Sequence, residues 1–112
     1  MFQGLALNSE NYMSLLSARQ KLVASNIANA DTPGYHTQDI NFQAEFENAL
    51  GSHAPTVVEP EGLVAKPDGN NVNIDREARL LAENSLRFSI ASNFARAELN
   101  SVRTAIQEGK SV

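Results

Sequence analysis

The chain has 112 residues, which fits one domain at the small end of the usual range. Its net charge of −4 provides no general basic surface for nucleic acid, and it has no cysteine for disulfide or thiolate chemistry. No run of 18 apolar residues occurs, so we expect no membrane span, and residues 1–7 lack the charge and apolar core of a cleavable secretory signal.

The first part of the chain has the apolar spacing of a helix, which we expect to run from Asn8 or Ser9 to Ala30. The apolar spacing extends upstream of Ser9, so the alternatives are an earlier helix start or first residues that become helical only in a complex. Ser9 is a suitable N-cap, and Glu10 would lie in the first turn, where a negative charge is favourable. Alternating steps of four and three residues form a heptad seam in which seven of nine positions are apolar. These positions are Phe2, Ala6, Ser9, Met13, Leu16, Gln20, Val23, Ile27 and Ala30. The apolar residues that widen one flank of the seam are Leu5, Tyr12, Leu15 and Leu22.

The next segment carries strong signals for a helix end. A helix cannot continue through Pro33, because proline lacks the N–H and disfavours helical geometry in the residue before it. Pro33 and Gly34 fit the two corners of a type II turn, where glycine accepts positive φ. Asn29 and Asp31 can bond the nearby backbone and cap the last carbonyls. Local chemistry alone therefore predicts a helix stop.

The middle of the chain differs from both ends, since residues 31–69 carry seven acidic side chains against the single base Lys66. We predict a short helix over residues 43–50, with Leu50 on its apolar face and Gly51 just past its end. A small hairpin that pairs residues 56–59 with 63–66 is a further prediction. The connection as a whole is expected to be a largely irregular loop with little core of its own.

The last part predicts the stronger helix, because residues 74–107 contain neither proline nor glycine. Asn73 can cap this helix, with Asp75 and Glu77 in its first turn. The same heptad spacing is apolar at eight of ten positions. They are Ile74, Ala78, Leu81, Ser85, Phe88, Ser92, Ala95, Leu99, Val102 and Ile106.

These elements predict a mainly α fold in which two long terminal helices pack as an antiparallel, coiled-coil-like hairpin. The division is 1–34 for the N-terminal axial helix and turn, 35–73 for the connecting region and 74–112 for the C-terminal axial helix, together one domain. A two-helix hairpin has little interior, and both helices carry more apolar surface than one partner helix covers. We therefore expect the chain to complete its core with other molecules.

Catalytic and metal-binding patterns are weak. His36 and His53 are 17 residues apart and have no helical or cysteine partner, so surface positions are favoured over a metal site. No nucleotide-binding or nucleophile-elbow motif occurs. The arginines spaced along the last helix could form a phosphate-binding stripe, but interleaved glutamates favour a mixed solvent or subunit-contact face. We expect no enzyme activity, no cofactor and no metal.

Two segments carry a resemblance to a known family. Residues 24–35, A-S-N-I-A-N-A-D-T-P-G-Y, followed by D-I-N-F at 39–42, resemble the N-terminal signature of bacterial flagellar basal-body rod proteins, and most of all that of the proximal rod. Residues 68–77 and 81–88, and T-A-I-Q at 104–107, resemble the C-terminal helix of the same family. The resemblance covers most of residues 8–50 and 67–108, whereas residues 51–67 are shorter than the family's connection.

The resemblance implies a structural rod subunit in the periplasmic part of the flagellum, exported by the flagellar type III system without a cleaved signal. Such a subunit assembles helically into the shaft between the MS ring and the distal rod and is required for flagellum assembly and motility. The implied partners are further copies of itself, the rod proteins FlgC and FlgF, the distal rod protein, the rod-base adaptor FliE, the MS ring and the export gate. Nucleic acid is not among them.

Three groups of residues are candidates for the assembly function. The signature itself, expected to set the geometry between subunits, comprises Asn26, Ile27, Asn29, Asp31, Thr32, Pro33, Gly34 and Tyr35. The seam expected to hold the hairpin comprises Leu16, Val23, Ile27, Leu81, Phe88, Leu99 and Val102. The off-seam residues expected to meet neighbouring subunits are Leu15, Leu22, Leu86, Ile90 and Phe94.

Two alternatives remain open at this point. A soluble helical adaptor or export chaperone could use the same apolar face on one partner, although it has no reason to carry the signature. Within the family, another rod protein is the main rival.

Overall fold

The computed structural model describes residues 2–48 and 54–110, with side chains described from Ser9 to residue 109 in these ranges. In chain order the elements are α1 (Phe2–Ala28), β1 (Asp39–Ile40), α2 (Phe42–Glu47), β2 (Val57–Val58) and α3 (Ile74–Lys110). The predicted features outside the described side chains are the seam positions Phe2 and Ala6, the flanking Leu5, and Leu50, Gly51 and His53.

The two long helices form the predicted antiparallel hairpin. The Nδ2 atom of Asn26, near the end of α1, lies 3.1 Å from a carboxylate oxygen of Glu77 at the start of α3. Further along, the Nδ2 atom of Asn84 donates to the Leu16 carbonyl at 2.7 Å. The molecule is extended, with principal dimensions of 72 × 25 × 17 Å. Among the described helices, none combines the length and apolarity needed to cross a bilayer.

The observed bounds of both long helices differ from the predicted bounds at one end or more. Helix α1 takes the earlier of the predicted starts, at Phe2, because the apolar seam continues upstream of Ser9 and only Gly4 weakens that turn, at a cost of about 1 kcal/mol. It ends at Ala28, two residues before the predicted Ala30. Helix α3 begins where predicted, and the side chain of Asn73 accepts from the Arg76 amide at 3.1 Å as an N-cap. It continues past Gln107 to Lys110.

The described part of the connection contains the predicted short helix and a strand pair whose partners differ from the predicted ones. Strand β2 pairs antiparallel with β1, so that Asp39 faces Val58 and Ile40 faces Val57. The predicted pairing with residues 63–66 is wrong, because Ile40 offers a buried anchor whereas Val64 is almost fully exposed. Helix α2 follows the N-cap Asn41.

Three aromatic rings attach α2 to α1. The Tyr12 ring meets the Phe42 ring edge to face at a centroid distance of 5.5 Å, and it meets the Phe46 ring similarly at 5.7 Å. Such edge-to-face pairs add stability beyond the area they bury.

The interior is unusual in having as many polar as apolar residues. The buried apolar residues of the described chain are Leu15, Leu16, Val23, Ile40, Val72 and Leu80. The buried polar residues are Asn26, Thr37, Asp39, Asn70, Glu77 and Asn84. Most of the buried polar residues lie at the end of the hairpin that is next to the connection. We call this end (residues 19–40 and 66–84) the closed end. The other end, residues 9–13 with 85–109, is the open end.

Candidate assembly site

The signature begins with the end of α1 and the turn that follows it. The Tyr35 amide donates to the Thr32 carbonyl at 3.2 Å, and Gly34 has φ of +74°. This is the geometry of the predicted type II turn with glycine at its third position. The side chain of Asn29 donates to the Ser25 carbonyl at 2.8 Å, so it caps the last turn of α1 as expected.

A second turn packs closely against the first. The Gly34 amide donates to the Asp68 carbonyl at 2.9 Å. A Cβ atom at Gly69 would lie 3.4 Å from the Cα of Gly34, and Gly69 itself has φ of +89°. Glycine is favoured at both positions because each has positive φ, whereas a Cβ atom at Gly34 would meet no other atom within 4 Å.

Asn26 connects α1, the segment after the turn, and α3. Its Nδ2 group donates to the Gln38 carbonyl at 2.8 Å and to Glu77 at 3.1 Å. Its Oδ1 atom accepts from the Gln38 amide and from the Tyr35 hydroxyl, both at 3.0 Å. The side chain is completely buried, and its two donors and two acceptor positions are all used.

Two further asparagines join the segment before α3 to the signature. The Nδ2 group of Asn70 donates to the carbonyls of Asn29 and Thr32, both at 2.9 Å. The Oδ1 atom of Asn71 accepts from the Thr37 amide at 2.6 Å. The bonds from Asn70 supply donors to two carbonyls of the segment just after α1, and the bond to Asn71 gives the Thr37 amide an acceptor.

Four charged side chains complete the closed end. Arg19 donates to both carboxylate oxygens of Asp39, at 3.0 and 3.1 Å. Arg76 donates to Asp39 at 2.7 Å and to Glu77 at 2.6 Å. Two guanidinium groups thus balance two buried carboxylates, the arrangement that a buried charge requires.

The ionised form of Asp39 is favoured in this cluster. Burial acts to raise the pKa of Asp39, but the hydrogen bonds from Arg19, the Ile40 amide and Arg76 outweigh it. The net effect is a pKa below the ordinary value for aspartate.

The signature residues are divided between the interior and the surface. Asn26 is buried, and Asn29 and Tyr35 are half-buried. The exposed members are Ile27, Asp31, Thr32, Pro33 and Gly34.

The predicted hairpin seam is displaced on α3. On α1, Leu16 and Val23 are each only 1% exposed, whereas Ile27 is 37% exposed. On α3 the seam residues are between 36% and 55% exposed, namely Leu81, Phe88, Leu99 and Val102. The buried positions of α3 are instead Glu77, Leu80 and Asn84. Two of these three residues are polar, so a search for apolar heptads passes over the buried face of α3. It selects instead the apolar positions on the neighbouring flank of the helix.

The predicted subunit contacts also divide. Leu86, Ile90 and Phe94 are 62%, 60% and 57% exposed. Leu15 differs from the prediction because it is buried, and Leu22 is half-buried. The two leucines lie on the flank of α1 where residues recur at helical steps of three and four and where the connecting segment binds. The residues of this flank are Tyr12, Leu15, Arg19, Leu22 and Asn26, and the partners of three of them are Phe42, Asp39 and Gln38.

An apolar groove of about 380 Å³ opens beside this flank at the open end. Its lining residues come from α1, α2 and α3, and they are Ser9, Tyr12, Phe46, Arg87, Ile90, Ala91 and Phe94. Exposed apolar side chains next to such a groove are typical of an interaction surface.

Apolar residues also occupy the opposite flank of α3. Ile90 is nine residues from both Leu81 and Leu99, which at 3.6 residues per turn places it on the far side of the helix axis. Phe88 and Ile106 lie on the same flank as Leu81 and Leu99 and are likewise exposed. Helix α3 therefore presents two separate apolar flanks.

Sequence reasoning missed the polar network of the closed end. A search for apolar periodicity does not identify Asp39, Arg76 and Glu77 as interior residues, because all three are charged. The available signal was Asn26 itself, since asparagine is a poor helix former and stands within the last turns of an apolar helix.

His36 lies 3.4 Å from Glu59 at the surface. Within residues 2–48 and 54–110, no three acidic or histidine side chains converge as a metal site would need.

Several known proteins are similar to this chain in sequence. A family described as "Flagella basal body rod protein" matches residues 7–36, which cover α1 from residue 7 to its end, the turn and Tyr35. The flagellar basal body rod protein FlgB of Salmonella typhimurium is 32% identical over 96% of this chain and 92% of its own length. FlgB of Proteus mirabilis is 31% identical over 87% and 89% of the two chains. FlgB of Bacillus subtilis is 26% identical over 98% of both.

Proposed function

The chain belongs to the FlgB family of flagellar basal body rod proteins, and from this premise we propose that it is a proximal-rod subunit that assembles through α1 and α3. It is a structural protein of the flagellar basal body rod and not an enzyme. In this proposal residues 1–34 and 74–112 provide the axial helices of the subunit. Residues 35–73 connect them within one domain.

The observation that carries the proposal is the exposed apolar surface on both flanks of α3. Leu86, Ile90 and Phe94 form one flank, and residues on the opposite side form the other. Full burial of one side chain of this size contributes roughly 1.5–3 kcal/mol. The exposed parts of several such side chains therefore offer a few kcal/mol to association on each flank.

The opposite placement of the two flanks favours a rod subunit over an adaptor. A single neighbouring helix can cover only one side of α3, so two neighbours are needed to cover both. Contacts that use two different surfaces of the same subunit generate rings or helical filaments. A soluble adaptor or chaperone that binds one partner would need one apolar face.

The partners and location extend the same proposal. We infer that copies of this chain contact one another and the rod proteins FlgC, FlgF and the distal rod protein. At the base of the rod they would meet FliE, the MS ring and the export gate. The resemblance to the family supports a place in the periplasmic space, delivery by the flagellar type III system without a cleaved signal, and a requirement for motility.

The experiment that tests this proposal removes one apolar flank. The double substitution Leu86→Ala and Phe94→Ala should abolish sedimentable co-assembly with purified rod proteins. It should also abolish swimming when the variant replaces the native chain in a flagellated cell. Circular dichroism of the dilute chain should change by less than about a tenth, because alanine is the best helix former.

Asn93→Ala is the matched control, because Asn93 is exposed on α3 between the two substituted positions. This variant should assemble and support swimming normally. Equal loss of helicity and assembly in the double variant would contradict the proposal. A finite complex of the native chain with one partner would favour the adaptor instead.

A further inference from the structure

The two segments that carry the sequence signature bind each other, and we infer that they form an intramolecular clasp that fixes how α1 lies against α3. The clasp comprises residues 26–39 on one side and 66–77 on the other, with Arg19. In this inference the buried signature residues act within the subunit, and neighbouring subunits meet other surfaces. The inference does not depend on the proposed rod function.

Hydrogen bonds across large separations in the chain support the clasp. Asn26 and Glu77 are 51 residues apart, Asn29 and Asn70 are 41 apart, and Thr37 and Asn71 are 34 apart. Among the described residues, every buried side-chain nitrogen and oxygen has a partner within the chain. Asn26 therefore has no free donor or acceptor with which to recognise a neighbour.

The need for such a clasp follows from the rest of the helix interface. The apolar contacts of Leu16, Val23 and Leu80 are non-directional, and a heptad seam allows one helix to slip along the other. A slip would break the bond from Asn26 Nδ2 to Glu77 Oε2 and leave one buried donor and one buried acceptor without a partner. Buried polar residues that specify the register of packed helices are the best-attested use of such groups.

Amide hydrogen exchange of the dilute, unassembled chain tests the clasp. The Gln38 amide donates to Asn26 Oδ1 at 3.0 Å, so Asn26→Ala should raise its exchange rate at least about tenfold, since the loss of a buried hydrogen-bond partner is of that order. The exchange of the Thr37 amide, which bonds Asn71, should rise with it. Ile27→Ala is the matched control, because Ile27 is adjacent and more than a third exposed, and it should change neither rate by more than about twofold.

A distance measurement tests the register directly. The chain has no cysteine, so spin labels can be placed at Ser14→Cys and Ser89→Cys, which are both exposed and lie outside the clasp residues. The native background should give one distance, and Asn26→Ala should add a second distance, because a slip of one heptad moves the helices about 10 Å along each other. Ile27→Ala should keep the single native distance.

Two outcomes would overturn the clasp. One is an Asn26→Ala chain with native exchange, a single native distance and lost co-assembly, which would place Asn26 on an interface between subunits. If Asn26→Ala unfolds the chain, Tyr35→Phe replaces it as the test, because it removes only the hydroxyl and with it the bonds to Asn26 and Ser25. This variant should raise Gln38 exchange a few-fold with helicity retained, and unchanged exchange is the second overturning outcome. Co-assembly of these variants tests the rod function separately.

Discussion

The closed end and the open end of the hairpin are stabilised by different kinds of interaction. At the closed end, buried asparagines and a balanced group of charges bond α1, the connection and α3 to one another. At the open end, α3 keeps large apolar side chains exposed beside a groove that α1 and α2 help to form. The polar side chains thus have their partners within the chain at one end of the helix pair, whereas apolar side chains remain exposed at the other end.

This difference follows from the physics of the two interactions. A buried polar group needs a partner at a fixed distance and angle, so its partner is best supplied by the same chain. Apolar burial is non-directional and can be completed by any neighbour of suitable shape. A subunit can therefore use polar contacts to fix its own fold and apolar contacts to associate with its neighbours.

The largest expected effect comes from removing a charge at the closed end. Asp39→Ala leaves Arg19 and Arg76 without their shared carboxylate, and the loss of one partner of a buried ion pair costs about 3–5 kcal/mol. The free energy of unfolding, measured by urea denaturation, should fall by about that amount.

Asp75→Ala is the control for this substitution, because Asp75 is an exposed acid in the first turn of α3. Its removal should cost less than about 1 kcal/mol through the helix dipole. Similar losses for the two variants would show that the closed end does not depend on the charge cluster.

Acid should remove part of the same stabilisation. The pKa of Asp39 is lower in the folded chain than in the unfolded chain, so its contribution is complete above the ordinary aspartate pKa. That contribution is lost as pH falls through the lower, folded value. The free energy of unfolding of the native chain should therefore decrease more steeply below about pH 4 than that of Asp39→Asn. Parallel pH profiles would exclude a role for this carboxylate.

The smallest effect on the isolated chain is expected at the open end. Leu99 is more than half exposed, so Leu99→Ala should lower the free energy of unfolding by less than about 1 kcal/mol. Co-assembly with rod proteins should nevertheless weaken. Leu16→Ala is the contrasting variant, because the fully buried Leu16 should cost about 2–5 kcal/mol when truncated. Comparable losses in the free energy of unfolding for the two variants would mean that Leu99, like Leu16, is packed in the interior of the isolated chain.

The elements with strong local signals could be predicted from the sequence. The cap at Asn73, the turn at Pro33 and Gly34, and the antiparallel arrangement of the long helices agree with the structure. Each depends on residues close together in the chain or on a periodicity maintained over many turns.

The features that could not be predicted depend on pairs of distant residues. Strand β2 pairs with β1 because Ile40 is anchored in the interior, and no local pattern in residues 56–59 indicates this. The face of α3 toward α1 is displaced from the apolar heptads because Glu77 and Asn84 occupy interior positions. Their burial is possible only because Arg76, Asn26 and the Leu16 carbonyl lie where they do.

The polar interior of the closed end has a consequence for temperature. Exposure of apolar surface raises the heat capacity of a protein and exposure of polar surface lowers it. Unfolding of the closed end should therefore carry a small heat-capacity change per residue, and its stability should vary gently with temperature. Burial of the open-end side chains by neighbours should have the opposite character, with a strongly negative heat-capacity change and contacts that weaken on cooling. Cold would then loosen a subunit from its neighbours before it disturbs the fold of the subunit.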